Sequence, residues 1–223
     1  MIAPEMQGFL GQLAPEELDD LRGRSRLQRF QPGALLLAER QVGDRVMVLV
    51  EGRVKVTCVT SDGREAVLGF RGPGDLVGEL AAIDGRPRSG AVAAVEPVQA
   101  LTIPDAEFRA WVLQHPGVAM HLMRLLTERL RDADRKRIEF AAADTVGRVA
   151  SRLIELSERF GEPEGGAIGI TLPLTQEELA GWCGASREAT VKALQTMRGL
   201  GWIDTGRRRF VVHDMDALRA RAA

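Results

Sequence analysis

Between Val77 and Gly90 the chain reads V-G-E-L-A-A-I-D-G-R-P-R-S-G, and these residue types at this spacing can hold a small phosphorylated ligand. Gly78 and Glu79 open the segment, Leu80 begins an apolar run suited to a short helix, and a Gly85-x-Pro87 corner brings in Arg88 and Ser89. Backbone N–H groups at a helix start favour an anion. Arg88 adds a planar fork of donors that matches phosphate oxygens, and Ser89 adds a hydroxyl. Glu79 repels phosphate and can only accept hydrogen bonds. Its natural partners are two neighbouring sugar hydroxyls, or one hydroxyl and a protein donor. The segment asks for a ligand that is anionic at one end and hydroxylated close by.

A second stretch carries a different chemistry. Leu172 to Leu194 reads L-P-L-T-Q-E-E-L-A-G-W-C-G-A-S-R-E-A-T-V-K-A-L. Thr175, followed by Gln176 and with Glu178 three residues on, is a capping box at the start of a short helix. Gly184 supplies a tight turn and Ser186 caps a second helix, whose positions Ala189, Ala193, Leu194 and Met197 face inward. This is a helix-turn-helix, whose second helix enters the DNA major groove. Arg187, Glu188 and Lys192 stand at its exposed N-terminal end. Arg187 can bind guanine in bidentate fashion and Glu188 can accept from a cytosine amino group. Beyond it, Gly201 to Asp204 and Arg209 to Val212 read as two strands joined by Thr205-Gly206-Arg207-Arg208, a wing whose basic tip suits phosphate contact. Trp202 belongs to the junction of helix and wing.

Charge supports this division. The 223 residues carry a formal net charge of -1, so the chain does not coat nucleic acid along its whole length. Arg187 to Arg209 holds six Arg or Lys against two acidic residues, whereas Met1 to Pro104 holds twelve against fourteen. No secretory leader and no run of about eighteen apolar residues is present, so a cytoplasmic protein without a membrane span is expected. Cys58 and Cys183 have no C-x-x-C spacing, and His115, His121 and His213 are scattered, so no metal site is expected. Cys183 reads as a small core residue. Nucleophile elbow, Gly-rich NTP loop and paired catalytic carboxylates are missing, so no catalytic residue is assigned and an enzyme is not expected.

The elements that must position these residues follow from periodicity. A short helix starts at Pro15. From about Arg26 to Pro104, apolar or alternating runs (34–37, 45–50, 53–59, 66–70, 91–95 and 98–103) are punctuated by glycines at intervals mostly near ten, the pattern of an antiparallel β-barrel or sandwich. Glu51-Gly52 and Asp62-Gly63 read as hairpin turns. Asp105 caps a helix through Leu113, which His115-Pro116-Gly117 breaks. A long helix then runs from Val118 to about Ala143, with a broad apolar side of Leu122, Met123, Leu125, Leu126, Leu130, Ile138 and Phe140 that suits pairing with a second copy. Asp144 caps the next helix, and Gly161 to Gly169 reads as a turn-rich surface loop.

Over nearly its full length the chain resembles the bacterial transcription regulators of the catabolite-activator and fumarate-nitrate-regulator (CRP/FNR) superfamily. Gly78-Glu79-Leu80…Pro87-Arg88-Ser89 is similar to their cyclic-nucleotide phosphate cassette, and Leu174 to Leu194 to their DNA-recognition motif. The resemblance implies an α+β fold: an N-terminal antiparallel β-roll that binds cyclic nucleotide (1–115), a long dimerisation helix (116–143) and a C-terminal winged helix-turn-helix (144–223). It implies a homodimer on a palindromic double-stranded DNA operator, with RNA polymerase as a further partner. By the same resemblance Glu79 holds the ribose 2′-hydroxyl and Arg88 the cyclic phosphate. Gly78 and Ser89 add donors, and Arg187, Glu188 and Lys192 read bases. Lys192 stands where some members have arginine, which keeps the charge and loses the fork.

One departure bears on the effector. Cyclic-AMP responders of this family place two small hydroxylated residues of the long helix on the adenine, where this chain has Ala133 and Asp134. Asp134 can only accept, from the adenine amino group or the N–H edge of guanine. The expected effector is cAMP, with cGMP as the alternative. Two rivals remain: a DNA-binding regulator independent of cyclic nucleotide or responding to another metabolite, and a cyclic-nucleotide-binding regulatory subunit of an enzyme complex.

Overall fold

The computed structural model describes residues 8–61 and 63–222. The chain forms two compact units whose main division falls between Arg131 and Asp132, with Glu65–Val67 grouped with the second. The first is built on two four-stranded antiparallel sheets. One orders β1 (Arg26–Phe30), β8 (Val98–Pro104), β3 (Arg45–Glu51) and β6 (Leu76–Val77). The other orders β2 (Leu35–Leu37), β7 (Ala91–Ala94), β4 (Val54–Val59) and β5 (Glu65–Arg71). β3 is buried along most of its length, as a central strand must be, and Met47, Leu49, Val54, Val77, Val92 and Val98 form one core cluster.

Helices α1 (Pro15–Arg24) and α3 (Asp105–Gln114) and the start of α4 (Pro116–Ala142) close a second cluster around Trp111. The indole of Trp111 meets Phe9 edge-on and its Nε1 donates to Glu17 O at 3.2 Å, so a large apolar ring is buried with its one polar atom satisfied. Pro116 starts α4 where α3 ends, since a proline cannot continue the preceding hydrogen-bond ladder. α2 (Glu79–Asp84) is the helical interruption expected among the strands.

Several local expectations need correction. Glu51-Gly52 is no hairpin, because β3 and β4 lie in different sheets. Gly52 takes φ +77° at this crossing, and a Cβ there would run into Pro97 O. Asp62 lies outside the described residues, while Gly63 has φ +82° between the neighbouring strands β4 and β5. Asp105 is the first residue of α3 and not its cap, which is Pro104. Its Oδ1 is buried without a hydrogen-bond partner among the described residues, and burial raises its pKa. The apolar side of α4 is divided: Leu122 is buried in the core and Leu125 and Leu126 pack against it, whereas Met123, Leu130 and Ile138 are exposed.

In the second unit, α5 (Thr145–Phe160), α6 (Gln176–Cys183), α7 (Arg187–Gly199) and α8 (Met215–Ala222) accompany one sheet of order β11 (Ile203–Gly206), β12 (Arg209–Val212), β10 (Ala167–Ile170), β9 (Gly161–Glu164). The stretch 161–169 is thus a hairpin rather than a loop. Gly165 and Gly166 both take positive φ, the requirement of a type I′ turn, and β10 pairs onward with β12. In the wing, β11 runs to Gly206, so the turn is Arg207-Arg208 alone, with Arg208 at φ +54°. Trp202 is half-buried and its carbonyl accepts from His213 N at 2.8 Å, which ties helix end to wing. Cys183 is buried, and burial pushes its thiol up to about 12.

Asp144 caps α5, accepting from Gly147 N at 2.9 Å, and is paired with Arg221 of α8. The Gly147 N–H, and next the Arg221 guanidinium, hold its carboxyl below the ordinary carboxylate range. A depressed folded-state pKa stabilises above the unfolded value of about 3.9 and the effect is lost as pH falls through the folded value. Asp144→Ala is expected to cost this unit about 1 kcal/mol at pH 7, measured by urea unfolding. The difference from wild type should shrink on acidification below about pH 4; a constant difference would show that the carboxylate charge contributes nothing.

Candidate functional site

One cavity of the first unit is about 430 Å³, a volume within the usual range for small ligands. Its floor is apolar: Leu37 of β2 and Val56 of β4 are both register partners of Val92 on β7. Leu68 of β5 and Leu126 and Leu130 of α4 add apolar wall. Onto this surface the chain brings four charged side chains, Arg71, Glu79, Arg88 and Arg129. Gly78, Leu80 and Ser89 also line the cavity, so the five residues expected from the segment Val77 to Gly90 converge there.

Arg88 is held from one side. Its backbone N donates to Gln41 O at 2.8 Å and its O accepts from Arg40 N at 2.9 Å. Nη2 donates to Arg45 O at 2.9 Å and to Asp44 Oδ1 at 3.1 Å. Asp44 is itself gripped by Arg45, and these contacts, Arg45 first and Arg88 second, lower its pKa. Arg88 is only 5% exposed, and its Nη1 finds no acceptor among the described residues. A buried charged donor without a partner is costly, so this is the atom a ligand anion would satisfy. The wall beside it has to be glycine. Gly78 sits at φ +85°, and a Cβ there would lie 2.8 Å from Arg88 Nη1, 2.9 Å from Leu37 Cδ1 and 3.1 Å from Arg45 O.

Glu79 is 3% exposed and accepts from Arg129 Nη1 at 2.5 Å. Arg129 Nη2 donates to Leu76 O at 2.7 Å, so one guanidinium of α4 joins the helical corner of the cavity to the strand before it. A protein donor on one lobe leaves the carboxylate able to accept from one ligand hydroxyl. Arg129 escaped the sequence reading, although an arginine three positions after Leu126, on the same helical face, is the signal that could have found it. Ala133 and Asp134 are exposed on α4 and are not among the residues lining the cavity.

In the second unit, Thr175 Oγ1 accepts from Glu178 N at 3.1 Å and donates to Glu178 Oε2, while Thr175 N donates back to Glu178 Oε2 at 2.9 Å, completing the capping box. The hydroxyl is thereby engaged in holding the helix start. Gly184 takes φ +57°, and Ser186 Oγ accepts from Ala189 N at 3.2 Å. Thr190, Ala193, Leu194 and Met197 are the buried face of α7, with Ala189 half-buried; Thr190 is the inward position that apolar patterning overlooks. Arg187, Glu188 and Lys192 are exposed, as are Arg207 and Arg208, and Gln176 is half-buried. Arg187 Nε lies 3.7 Å from Glu177 Oε2, a loose surface pair that a DNA base can replace at little cost.

An antiparallel β domain with a ligand-sized cavity, followed in sequence by a winged helix-turn-helix, defines a class: DNA-binding regulators with an N-terminal sensory domain. Residues 27–115 match the cyclic nucleotide-binding domain model and residues 147–221 the Crp-like helix-turn-helix domain model. The chain is 37% identical over 193 residues, 86% of each chain, to the CRP-like cAMP-activated global transcriptional regulator of Mycobacterium tuberculosis. It is 28% identical over 194 residues, 87% of each, to the cyclic AMP receptor protein of Thermus thermophilus. Its fold is also that of the c-di-GMP responsive global regulator CLP of Xanthomonas campestris, with a TM-score of 0.79 at 21% identity over 90% of this chain and 99% of that one. The protein belongs to the CRP/FNR family of transcription regulators.

Two substitutions separate the cavity's anion contact from its shape. Arg88→Ala removes the donor, and Gly78→Ala pushes a methyl group against it in a backbone conformation that disfavours any Cβ. Each is expected to weaken calorimetric binding of a phosphate-bearing ligand by more than about tenfold, a charge-assisted hydrogen bond being worth about 1.5–3 kcal/mol. Unchanged affinity in Arg88→Ala would remove the anion assignment.

Proposed function

We propose that the protein is a homodimeric, sequence-specific transcription regulator whose affinity for a palindromic operator is set by a cyclic purine nucleotide bound in the first unit. The observation that carries the reading is the buried Arg88 donor beside Gly78, next to a carboxylate that can accept a hydroxyl. Arg88 and Ser89 take the cyclic phosphate, Glu79 a ribose hydroxyl, and Gly78 and Leu80 shape the wall. These contacts are common to cAMP and cGMP. The names of the curated relatives favour cAMP as the first effector to test.

The chain is then divided into a β-roll (1–115), a dimerisation helix (116–143) and a winged helix-turn-helix (144–223). Exposed Met123 and Leu130 of α4 support pairing with a second copy, and Ala133 and Asp134 are assigned to the nucleotide base in that dimer. Arg187, Glu188 and Lys192 read bases, while Thr175, Gln176, Ser186, Arg207 and Arg208 hold the backbone. RNA polymerase in the cytoplasm is the further partner. A ligand shifts an equilibrium only through different affinity for its two states. Arg129 is suited to that role, because it binds the same Glu79 carboxylate that a ligand hydroxyl would join and so ties α4 to the ligand.

Mobility-shift titration of a selected operator is expected to show tighter binding with cAMP or cGMP present. Arg187→Ala should cost about 1–3 kcal/mol and relax selectivity at one position. Arg207→Ala with Arg208→Ala should weaken binding to all sequences and flatten its salt dependence by about one to two phosphates. Selective binding that ignores both nucleotides would contradict the gating. Absence of selective binding would favour a regulatory subunit of an enzyme complex.

A further inference from the structure

Of three consecutive arginines in the wing, Arg207 and Arg208 stand exposed in the turn, while Arg209 is matched by a carboxylate, Glu164 of β9. The two partners are distant in sequence and do not sit on neighbouring strands. In the order β11-β12-β10-β9, strand β10 lies between Arg209 on β12 and Glu164 on β9. The register sets both on one face. Glu162, Gly169, Val211 and Asp204 form one row across the four strands, and Glu164 and Arg209 each lie two residues from a member of that row. The opposite face carries Ile170, Phe210 and Val212, all buried.

Two strand spacings, about 9.5 Å, separate the backbones of the pair. The side chains close that gap because the strand between them is bare at residue 169. A Cβ there would collide with Glu164 Oε2, so the glycine is what lets the carboxylate cross to Arg209 Nη2. An exposed ion pair adds little stability, and its larger effect is on local charge. The pair borders a cleft of about 440 Å³ that Arg207 and Arg208 also line. Strand residues advance about 3.4 Å each, and phosphates of one DNA strand advance about 3.4 Å along the helix axis. An arginine next to two that meet phosphate therefore stands within reach of the same backbone. We infer that Arg209 is a latent third phosphate-binding residue of the wing, and that Glu164 is its internal competitor, which holds it off DNA. The wing then binds as two positive charges rather than three, and sequence-independent affinity, which is electrostatic, stays low. This rests on the reading of the wing as a phosphate-contacting element.

The test is anisotropy titration of a random-sequence DNA duplex with the full-length protein over a range of salt concentrations, with thermal unfolding of each variant as a check on folding. Glu164→Gln keeps the shape of the side chain and removes its charge. It is expected to bind more tightly than wild type, with the slope of log affinity against log salt steeper by about 0.9. The gain should be about threefold larger at about 50 mM than at about 200 mM salt. Arg209→Ala alone should leave the wild-type slope unchanged, and combined with Glu164→Gln it should abolish the gain. An unchanged slope in Glu164→Gln would overturn the inference. So would a gain that survives Arg209→Ala, or an equal gain in Glu162→Gln, since either would reduce the effect to general repulsion. A flatter slope in Arg209→Ala alone would make this arginine an ordinary contact and equally overturn it. Failure of wild type to bind the duplex, or a slope indifferent to Arg207→Ala with Arg208→Ala, would instead remove the reading of the wing itself.

Discussion

The first unit depends on how Arg88 is satisfied. A guanidinium almost removed from solvent is tolerated only when its donors are met, and here they are met on one side, by Asp44 and the carbonyl of Arg45. The backbone on either side of the chain fixes the residue as well, since Arg40 and Gln41 bond the Arg88 peptide in both directions. A site of this kind is preorganised. The ordering cost of a long side chain has been met by the fold before any anion arrives. Around that fixed point the rest becomes intelligible: a glycine where a methyl group would collide, a helix that brings Glu79 in, and a long helix that reaches Glu79 through Arg129.

The second unit depends on helix ends. Asp144, Thr175 and Ser186 each cap a helix by accepting a backbone N–H, and Gly184 reverses the chain between α6 and α7 in a left-handed conformation. These local bonds set where α7 starts, and hence which side chains stand at its exposed end. The hydrophobic side is set by Leu179, Leu194 and Met197 with Val149, Leu153 and Phe210, all fully or almost fully buried. Charge then collects on what is left outside, Arg187, Lys192, Arg207 and Arg208, which is the distribution a polyanionic partner needs.

Much of this was legible in the order of residues, because caps, glycine turns and the segment Val77 to Gly90 act through neighbours in sequence. The family assignment and the α+β fold stand on such local signals. What escaped the sequence reading depends on distant pairing. β1 is a charged run, R-L-Q-R-F, that becomes a strand because β8 lies beside it. β6 is two residues long, and α8 buries only Leu218, so neither carries a periodicity of its own. The glycine-rich stretch 161–169 reads as a loop until β12 offers β10 an edge. In the cavity, the same limit hid Arg71 and Arg129, which lie 17 residues before and 41 after Arg88 and are brought to it only by the fold.

The central claim concerns one atom, and a crystal structure of the protein grown with cAMP tests it most directly. The account predicts a cyclic phosphate oxygen about 2.9 Å from Arg88 Nη1 and a ribose hydroxyl on Glu79. Nucleotide bound elsewhere, or seated in the cavity with no phosphate oxygen within about 3.5 Å of that nitrogen, would contradict it.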